Sequence, residues 1–586
     1  MADIFRDSAV GQIIRYVTKN RYLQYPEEKS GFELPQAYAD ILKGSGTVIE
    51  KIPTSRSSTS LDDDSTVADG DETTAVQHVQ SHRDGINNIT EGALEADEIH
   101  RLEKTQSIPI APRRTKDGAI LVDWYFTDDP EDPHNWSNNK RNAIALIICL
   151  YTFVVYTTSA IYTASTEGVI EEFNVSLLKA TLGLSIYVLG YGTGPLIFSP
   201  LSEIPSIGRN PVYMVTMFLF VILSIPTAFV QNYAGLMVLR FLQGFFGSPC
   251  LASGGASLGD MYSLMAIPYA MMAWVSAAYC GPALGPLLSG YSVPVMGWRW
   301  SLFESIWASA PVFIVMLCLL PETSGQTILL RRAQRLRKLT GDNRFMSQSE
   351  IDQQNLNMTS VFIDALIKPL EITLKDPAVM FVQIYSAIIY GIYYSFFEVF
   401  PLVYPVYYGM TIGELGLVFL CILVACIIGV VTYFCYLYYY MNPRIEKFGF
   451  GAQEERLIPA LLAAFGPTIG LFLFAWTARA DIHWIVPTIG ITIYGATVFV
   501  VMQCIFVYIP LSYPMYAASL FAANDFFRSA LACGSVLFAH PLFGNLGVAR
   551  GTSLLGGLSV IGIVGIWLLY FYGARLRAMS KFAMSG

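Results

Sequence analysis

The stretch YCGPALGPLLSGY, residues 279–291, places Gly281, Pro282, Gly285, Pro286 and Gly290 inside a long run of apolar residues. In a membrane helix, glycine and proline allow a neighbouring helix to approach closely, because nearby groups satisfy the freed backbone hydrogen bonds. Gly281 and Gly285 are four residues apart and therefore share one helix face. The pattern predicts a membrane-spanning helix that packs tightly against another span. This helix face either has a functional role or forms an ordinary contact between small residues, and the spacing alone does not decide between the two.

The composition of the whole chain also indicates a membrane protein. Of 586 residues, 53% are hydrophobic, 13% aromatic and only 14% charged, which leaves too few polar side chains to cover a soluble globule of this size. The charged residues are concentrated in residues 1–141 and 321–376. The net charge of −8 comes largely from the first of these segments, so it says little about a partner, and no nucleic-acid partner is expected.

Apolar runs of about 20 residues, the length that crosses the hydrocarbon core, give twelve spans. They cover residues 142–162, 180–201, 211–230, 236–258, 269–292, 300–320, 377–401, 415–440, 457–477, 484–508, 514–540 and 552–573. The expected fold is an all-α membrane protein with two six-helix halves. The expected division is a mostly disordered cytoplasmic tail (1–141), a first half (142–320), a cytoplasmic central loop (321–376), a second half (377–573) and a cytoplasmic C-terminal tail (574–586).

Lysine and arginine near the ends of the spans predict the orientation. With a cytoplasmic N-terminus, the outer side receives only Lys179, Arg299, Arg479 and Arg550. Both termini are therefore expected in the cytoplasm. Asn174 begins the one sequon that would then face outward, which makes it a candidate for glycosylation.

The tail contains two kinds of sequence. Residues 30–120 are rich in Ser, Thr, Asp and Gly, a composition that predicts disorder. Residues 5–25 mix apolar and basic residues and predict an amphipathic helix, which rests either on the membrane surface or on the protein itself.

Several kinds of site are not expected. All nine cysteines fall in predicted spans, so neither a disulfide framework nor a metal site is indicated. No Walker-type phosphate-binding loop is visible, which argues against ATP-driven transport. With no large water-soluble domain, the chain is not expected to be an enzyme or to bind a cofactor.

Ionisable residues inside spans are costly, about 2.5–3.5 kcal/mol for Arg or Asp at the centre, and are functional candidates by default. Arg240 in span 4 is the clearest case, and its alternative is a structural arginine bonded to backbone carbonyls. Asp525 and Arg528 in span 11 are three apart and can neutralise each other, with proton or substrate handling as the second possibility. Glu304 and Glu398, toward the outer side, either exchange protons or are hydrated surface carboxylates.

Aromatic residues are concentrated in residues 388–408, at the end of span 7. Such surfaces bind flat apolar or weakly cationic molecules through stacking and cation–π contacts. Tyr390, Tyr394 and Phe397 are expected to face a substrate cavity, and Asn524 is counted with them as a substrate-binding residue.

Several motifs, in order along the chain, resemble a known family. GPALGP at 281–286 is similar to the span 5 antiporter motif of the drug:proton antiporters of the major facilitator superfamily. GYGTGPLIFSPLSEIPSIGRNPVY (190–213) resembles its loop between spans 2 and 3, and GLMVLRFLQGFFGSP (235–249) its span 4 motif. WRW (298–300), LPET (320–323) and SYPMYAASLFAANDFFRS (512–529) resemble the fungal azole, benomyl and cycloheximide resistance permeases. The resemblance covers most of residues 120–575.

This resemblance implies a proton-coupled exporter of azoles and other amphipathic drugs, driven by the proton gradient in the plasma membrane and working as a monomer. It makes Arg240 the residue that couples drug and proton movement, and the span 5 glycines a seal between the halves. Glu203, Gly208 and Arg209 would form a cytoplasmic charge lock that stabilises the outward-facing state. However, Glu203 lies five residues before Gly208, where the general pattern has three.

Fold alone does not determine the substrate. A proton-coupled carrier of a nutrient or polyamine remains an alternative, although a polyamine carrier would need several acidic residues in its cavity. A non-transporting membrane sensor that uses the tail to signal is a further alternative.

Overall fold

The computed structural model describes residues 2–42, 107–115, 118–353, 367, 370–448, 451–513 and 517–580. In this part of the chain, eleven helices are long and apolar enough to cross a membrane. The first ten are spans 1–10: Asn138–Phe173, Leu177–Glu203, Arg209–Phe229, Tyr233–Gly259, Ile267–Met296, Trp300–Leu319, Pro377–Tyr408, Ile412–Phe448, Gln453–Thr477 and Ile485–Ile509.

The eleventh helix contains two spans. It runs for 63 residues, Ala517–Met579, which at 1.5 Å per residue is about 95 Å, roughly three times the hydrocarbon thickness. Gly547 interrupts it with φ 76° and ψ 159°, a conformation that glycine adopts without strain. Residues 517–546 therefore form span 11 and residues 548–579 form span 12. The twelve-span fold predicted from the sequence is confirmed.

Most spans are longer than predicted, because a helix continues past the hydrocarbon edge where hydropathy no longer marks it. Span 1 shows the largest extension: the helix Asn138–Ala160 continues through a 3₁₀ turn, Ile161–Ser165, into Thr166–Phe173. Asn174 then ends it in the left-handed conformation, with φ 51°. Span 4 is likewise built from Tyr233–Gly247 and Pro249–Gly259, and span 8 begins with Ile412–Val418 before Leu420–Tyr436.

The two halves contact each other through spans 1 and 7, 2 and 11, and 5 and 8. We call the side that carries the helix Gly325–Thr340 the loop face, and the other side the opposite face. Toward the opposite face, the Ser185 hydroxyl donates to the Cys533 carbonyl at 2.8 Å. At the loop face, Asn442 Nδ2 donates to the Tyr269 hydroxyl at 2.9 Å.

The span 5 glycines pack in two directions. A Cβ on Gly281 would lie 2.7 Å from Tyr156 Cβ, and one on Gly285 would lie 2.9 Å from the Ile161 nitrogen, so both glycines face span 1 of the same half. A Cβ on Gly290 would lie 2.8 Å from the Ile412 carbonyl oxygen, in the second half. The expected close packing is confirmed. Of these three glycines, however, Gly290 alone faces the other half.

A small module covers the loop face. A three-stranded sheet joins β1 (Arg113–Arg114), β2 (Ile120–Leu121) and β3 (Phe345–Met346), with β1–β2 antiparallel and β2–β3 parallel. The described helices of this module are Ala2–Asp7, Ala9–Val17, Gln36–Leu42, Gly325–Thr340 and Gln348–Gln353. The predicted disorder of residues 30–120 is therefore wrong at both described ends of that segment; residues 43–106 lie outside the described residues.

A shared apolar cluster holds the module together. Tyr38, Ile120 and Phe345 are fully buried in one apolar cluster that also contains Leu336 of the helix Gly325–Thr340. The tail could not be recognised as folded from its composition because its apolar partners lie about 300 residues away in the chain. The helix Ala9–Val17 contacts span 6, so it rests on the protein as the second alternative predicts, while Ile13, Tyr16 and Val17 are exposed on its other side.

Candidate translocation site

A cavity lies between the two halves. Spans 1, 4 and 5 of the first half and spans 7, 10 and 11 of the second contribute to its wall. Span 5 begins at the loop face, and four of its five lining residues, Trp274 to Tyr279, fall in its first half, with Pro282 at its middle. The cavity therefore lies nearer the loop face. The contacts between the halves at Ser185 and Cys533 separate it from the opposite face.

Most of the cavity wall is apolar and aromatic. On span 10, Val498, Met502 and Phe506 follow one another at four-residue intervals and form one stripe. Trp274 and Phe521 face the same space from spans 5 and 11. Aromatic and methionine side chains of this kind adapt to ligands of different shape.

Asp525 and Arg528 place an ion pair in this apolar wall. Arg528 Nη2 donates to Asp525 Oδ1, and both side chains are more than nine-tenths buried. The Arg528 guanidinium also lies 4.5 Å above the Tyr390 ring, and its Nη2 donates to the Tyr156 hydroxyl at 3.4 Å. The predicted ion pair is confirmed, and since both residues line the cavity, it is placed to meet a ligand.

Asn524 lies beside this pair and also lines the cavity. Its Nδ2 donates to Gln383 Oε1 at 2.7 Å, and Gln383 Nε2 donates to the Leu520 carbonyl at 3.3 Å. The amide is thereby held against span 7.

A cluster of tyrosines joins the halves next to the cavity. The Tyr191 hydroxyl of span 2 lies 2.6 Å from the Tyr390 hydroxyl and 2.8 Å from the Tyr394 hydroxyl, both on span 7. The Tyr394 hydroxyl lies 3.3 Å from the Ser159 hydroxyl of span 1. Tyr390 lines the cavity as expected, but Tyr394 and Phe397 do not. Tyr394 is instead held in this cluster, and Phe397 stacks on Phe419 with ring centroids 5.1 Å apart.

Arg240 is fully buried inside the first half. It donates to the carbonyls of Gly183, Thr158 and Ser159 at 3.1–3.3 Å. Its guanidinium also lies 4.4 Å from the Tyr187 ring centroid. In this conformation it forms no ion pair with a described carboxylate. Its contacts are those expected of a structural arginine bonded to backbone carbonyls. One of its acceptors belongs to Ser159, the residue that touches Tyr394.

Glu304 and Glu398 both lie toward the opposite face, as the sequence predicts. The Glu398 side chain is 8% exposed, and no described residue forms a hydrogen bond or ion pair with it. One carboxylate oxygen of Glu304 is buried without a hydrogen-bond partner among the described residues. Neither residue lines the cavity.

The expected charge lock at the loop face has a different acidic partner. Arg209 Nε donates to Asp260 Oδ2 at 2.5 Å and Arg209 Nη2 to Asp260 Oδ1 at 3.1 Å, a bidentate pair. No ion pair joins Arg209 to Glu203, so the predicted contact is wrong. Asp260 follows span 4 and is 51 residues from Arg209 in the chain, and the fold brings the two together.

Gly208 allows a second carboxylate to approach. Its φ is 84°, and a Cβ at this position would lie 2.3 Å from Glu322 Oε2. Glu322, from the LPET motif, accepts hydrogen bonds from the backbone nitrogens of Arg209 at 3.1 Å and Asn210 at 3.3 Å. The loop between spans 2 and 3 is thereby tied to the segment after span 6.

Sequence reasoning missed several residues of this site, among them Tyr156, Tyr191, Tyr279, Tyr393, Gln383 and Asp260. Tyr393 could have been predicted to line the cavity, because it lies in the same aromatic segment as Tyr390. The tyrosines of spans 1, 2 and 5 carry no local signal, because tyrosine occurs in membrane helices both at the interface and in the core.

Residues 147–535 match the sequence family described as the Major Facilitator Superfamily. The chain belongs to this superfamily. It is 47% identical over 472 residues to the MFS-type transporter pyvG of Aspergillus violaceofuscus, covering 80% of this chain and 87% of that protein. It is 40% identical to the Cycloheximide resistance protein of Candida maltosa, covering 79% and 86%. It is 38% identical to Fluconazole resistance protein 1 of Saccharomyces cerevisiae, covering 80% and 86%.

Solved structures agree on the fold. The proton:xylose symporter XylE aligns with a TM-score of 0.53 at 13% identity, covering 75% of this chain and 96% of that one. The human organic anion transporter MFSD10 aligns with a TM-score of 0.52 at 14% identity, covering 73% and 99%. At this level of identity the likeness concerns the fold alone.

Proposed function

We propose that this protein is a proton-driven exporter of amphipathic toxic compounds, azoles among them, that works by alternating access in the plasma membrane. The observation that carries the proposal is the aromatic cavity between the halves, with the Asp525–Arg528 pair in its wall. The names of the fungal relatives, which refer to cycloheximide and fluconazole resistance, support the same substrate class.

The loop face is the cytoplasmic face in this proposal, because it carries the basic helix Gly325–Thr340 and most of the Lys and Arg near the spans. A drug then enters from the cytoplasm or inner leaflet into a cavity that lies nearer that side. We expect the chain to act as a monomer, since each chain contains both halves of the pathway.

We assign proton exchange to Asp525. Among the described residues that line the cavity it is the sole carboxylate, and protonation of its carboxylate would break the ion pair with Arg528. Arg528 lies over Tyr390, whose hydroxyl leads through Tyr191 and Tyr394 to span 1. A change of charge at Asp525 therefore acts on the contact between the halves, which is what alternating access requires.

The polyamine alternative has little support in this geometry. A polyamine carries several positive charges and would need several unpaired carboxylates, whereas Asp525 is already neutralised by Arg528. An amphipathic drug of low charge is not repelled by Arg528, and burial of its apolar surface against the cavity wall contributes favourable binding free energy.

The test is export of radiolabelled fluconazole from cells, with and without a protonophore, at equal surface expression. We expect the wild type to export and the protonophore to stop it. Asp525→Asn should abolish export, whereas Glu398→Gln, outside the cavity, and Asp481→Asn, on an exposed loop, should retain it. Export that persists in the protonophore would contradict proton coupling, and absence of export across a panel of unrelated drugs would favour the sensor or a narrower carrier.

A further inference from the structure

Three polar atoms in residues that line the cavity have no hydrogen-bond partner among the described residues. They are Asn524 Oδ1, Arg528 Nε and the Tyr393 hydroxyl. Their residues are only 4%, 7% and 6% exposed. A buried polar atom without a partner costs free energy, so such atoms require an explanation. Tyr393 lies on span 7, whereas Asn524 and Arg528 lie together on span 11, where a single ligand group can reach both.

The orientation of the Asn524 amide follows from its neighbours. The Leu520 carbonyl can only accept, so the Gln383 nitrogen must face it. The Gln383 oxygen then faces Asn524 and must receive that residue's nitrogen. The oxygen of Asn524 is therefore the atom left without a partner, and it is a hydrogen-bond acceptor.

Arg528 offers the complementary group. Its Nη2 is occupied by Asp525 and Tyr156, and the Tyr390 ring covers one face of the guanidinium. Its Nε–H remains a donor. Asn524 and Arg528 are four residues apart in a helix, so the acceptor and the donor lie one turn apart on the same face.

We propose that the cavity selects compounds that carry a hydrogen-bond donor directly beside an acceptor, such as an imide, lactam, secondary amide or hydroxy-ketone, on an apolar body. The ligand N–H or O–H donates to Asn524 Oδ1, and its carbonyl accepts from Arg528 Nε. The apolar body lies against Trp274, Phe506 and Phe521. This inference rests on the proposed export function and specifies the substrate class at the same cavity.

The proposal separates ligands that differ by one group. Glutarimide rings carry an N–H flanked by two carbonyls and satisfy both partners, whereas N-methylation removes the donor and leaves Asn524 Oδ1 unpaired. A site that hydrogen-bonds a ligand N–H discriminates strongly against the analogue that lacks it. An azole with a hydroxyl beside its ring nitrogens fits the same two partners.

The experiment measures binding of cycloheximide, a glutarimide, and N-methylcycloheximide to the purified full chain in detergent. We expect the N-methyl compound to bind about tenfold more weakly to the wild type, the cost of one lost hydrogen bond in a buried site. Asn524→Leu, of similar volume, should bring the ratio close to one. Arg528→Lys keeps the charge beside Asp525 but lacks Nε, so it should weaken both compounds and keep the ratio.

Phe521→Leu is the matched control, because it shortens the apolar wall without touching a polar partner. It should weaken both compounds equally. A ratio near one in the wild type, a ratio unchanged by Asn524→Leu, or no binding of either compound would overturn the proposal. If Asn524→Leu does not fold, the wild-type ratio and Arg528→Lys still decide. Loss of proton-driven export in cells with the binding ratio intact would instead count against the proposed function.

Discussion

The Tyr191 and Tyr394 hydroxyls lie 2.8 Å apart across the boundary between the two halves. Tyr394 also lies 3.3 Å from the Ser159 hydroxyl of the first half. A single buried side chain of span 7 thus holds two polar contacts with spans 1 and 2. These contacts must break when the halves separate on the opposite face, so they help to set the equilibrium between conformations.

Tyr394→Phe should shift that equilibrium toward opening at the opposite face. The change removes two hydrogen bonds between the halves, each of about 1 kcal/mol, which is roughly a thirtyfold shift. Spin labels at Asn174 and Asp481, one on each half in a background without other reactive cysteines, should report longer distances. Tyr404→Phe is the control, since it removes a bond of 2.8 Å to Thr488 within the second half. Equal distance distributions in both variants would contradict the role of Tyr394.

Arg240→Lys should abolish drug export while drug binding is largely kept. Lysine has a compact ammonium that cannot reach the separated carbonyls of Gly183 and Ser159 together. Arg240 does not line the cavity, so affinity for a radiolabelled drug should change less than about twofold, whereas an unmet buried partner costs about 1–3 kcal/mol of stability. Arg299→Lys, at a partly exposed pair with Glu172, is the control. Loss of binding equal to the loss of export would show a role in the pocket instead.

What the sequence predicts correctly here depends on local signals. Hydrophobic length predicts the twelve spans, and the three-residue spacing predicts that Asp525 meets Arg528. Asp260 could not be found this way, because it is 51 residues from Arg209 and only the packing of spans 3 and 4 brings them together. The cavity-facing side of span 7 was equally hidden, since aromatic residues lie on more than one side of that helix and periodicity gives no direction.

The N-terminal tail shows the same limit for charge. From composition alone its acidic residues are expected to be solvated. Glu27, however, pairs with Arg335, which is 308 residues away in the chain, with 3.1 Å between Arg335 Nε and Glu27 Oε2. Such a pair leaves no trace in a window of neighbouring residues. The folded state of this part of the tail therefore depends on a distant helix that local composition does not reveal.

Asp260→Asn should weaken the loop-face lock, whereas Glu203→Gln should not. The Arg209–Asp260 pair is partly exposed, so its loss should cost about 1 kcal/mol, seen as a lower Tm of the purified protein. Export should fall with it, because the loop between spans 2 and 3 loses one of its anchors. A larger drop in Tm for Glu203→Gln would restore the pairing predicted from the sequence.

Gly290→Ala should push the halves apart at the opposite face. The new Cβ would lie 2.8 Å from the Ile412 carbonyl oxygen, a backbone atom that cannot rotate away. The spin-label pair at Asn174 and Asp481 should then report longer distances. Gly281→Ala is the control: it creates an equally tight contact, 2.7 Å from Tyr156 Cβ, but within the first half. It should lower stability without separating the labels, and separation in both variants would contradict this distinction.

The loop-face module should depend on the charge of Asp129. Arg332 Nη1 donates to Asp129 Oδ2 at 2.6 Å, and both side chains are at most 2% exposed. Burial alone would raise the Asp129 pKa, but the Arg332 charge and hydrogen bonds outweigh it and hold the pKa below the ordinary 3.8. A lowered pKa in the folded state contributes stability that is present above the ordinary value and is lost as the pH falls through the folded one.

Spin labels at Val17 and Leu339, both exposed, would follow the module from pH 7 to pH 3. Their distance should stay constant to about pH 4, near the ordinary aspartate pKa, and broaden below it. Asp129→Asn should broaden it already at pH 7, because Arg332 loses its two hydrogen bonds to the Asp129 carboxylate, at a cost of about 1–3 kcal/mol, while Glu131 still lies 3.2 Å from Arg332. Arg344→Gln breaks the exposed pair with Asp342 and should leave the distance unchanged. A distribution that is narrow at every pH in Asp129→Asn would mean that the apolar cluster around Tyr38 holds the module without the ion pair.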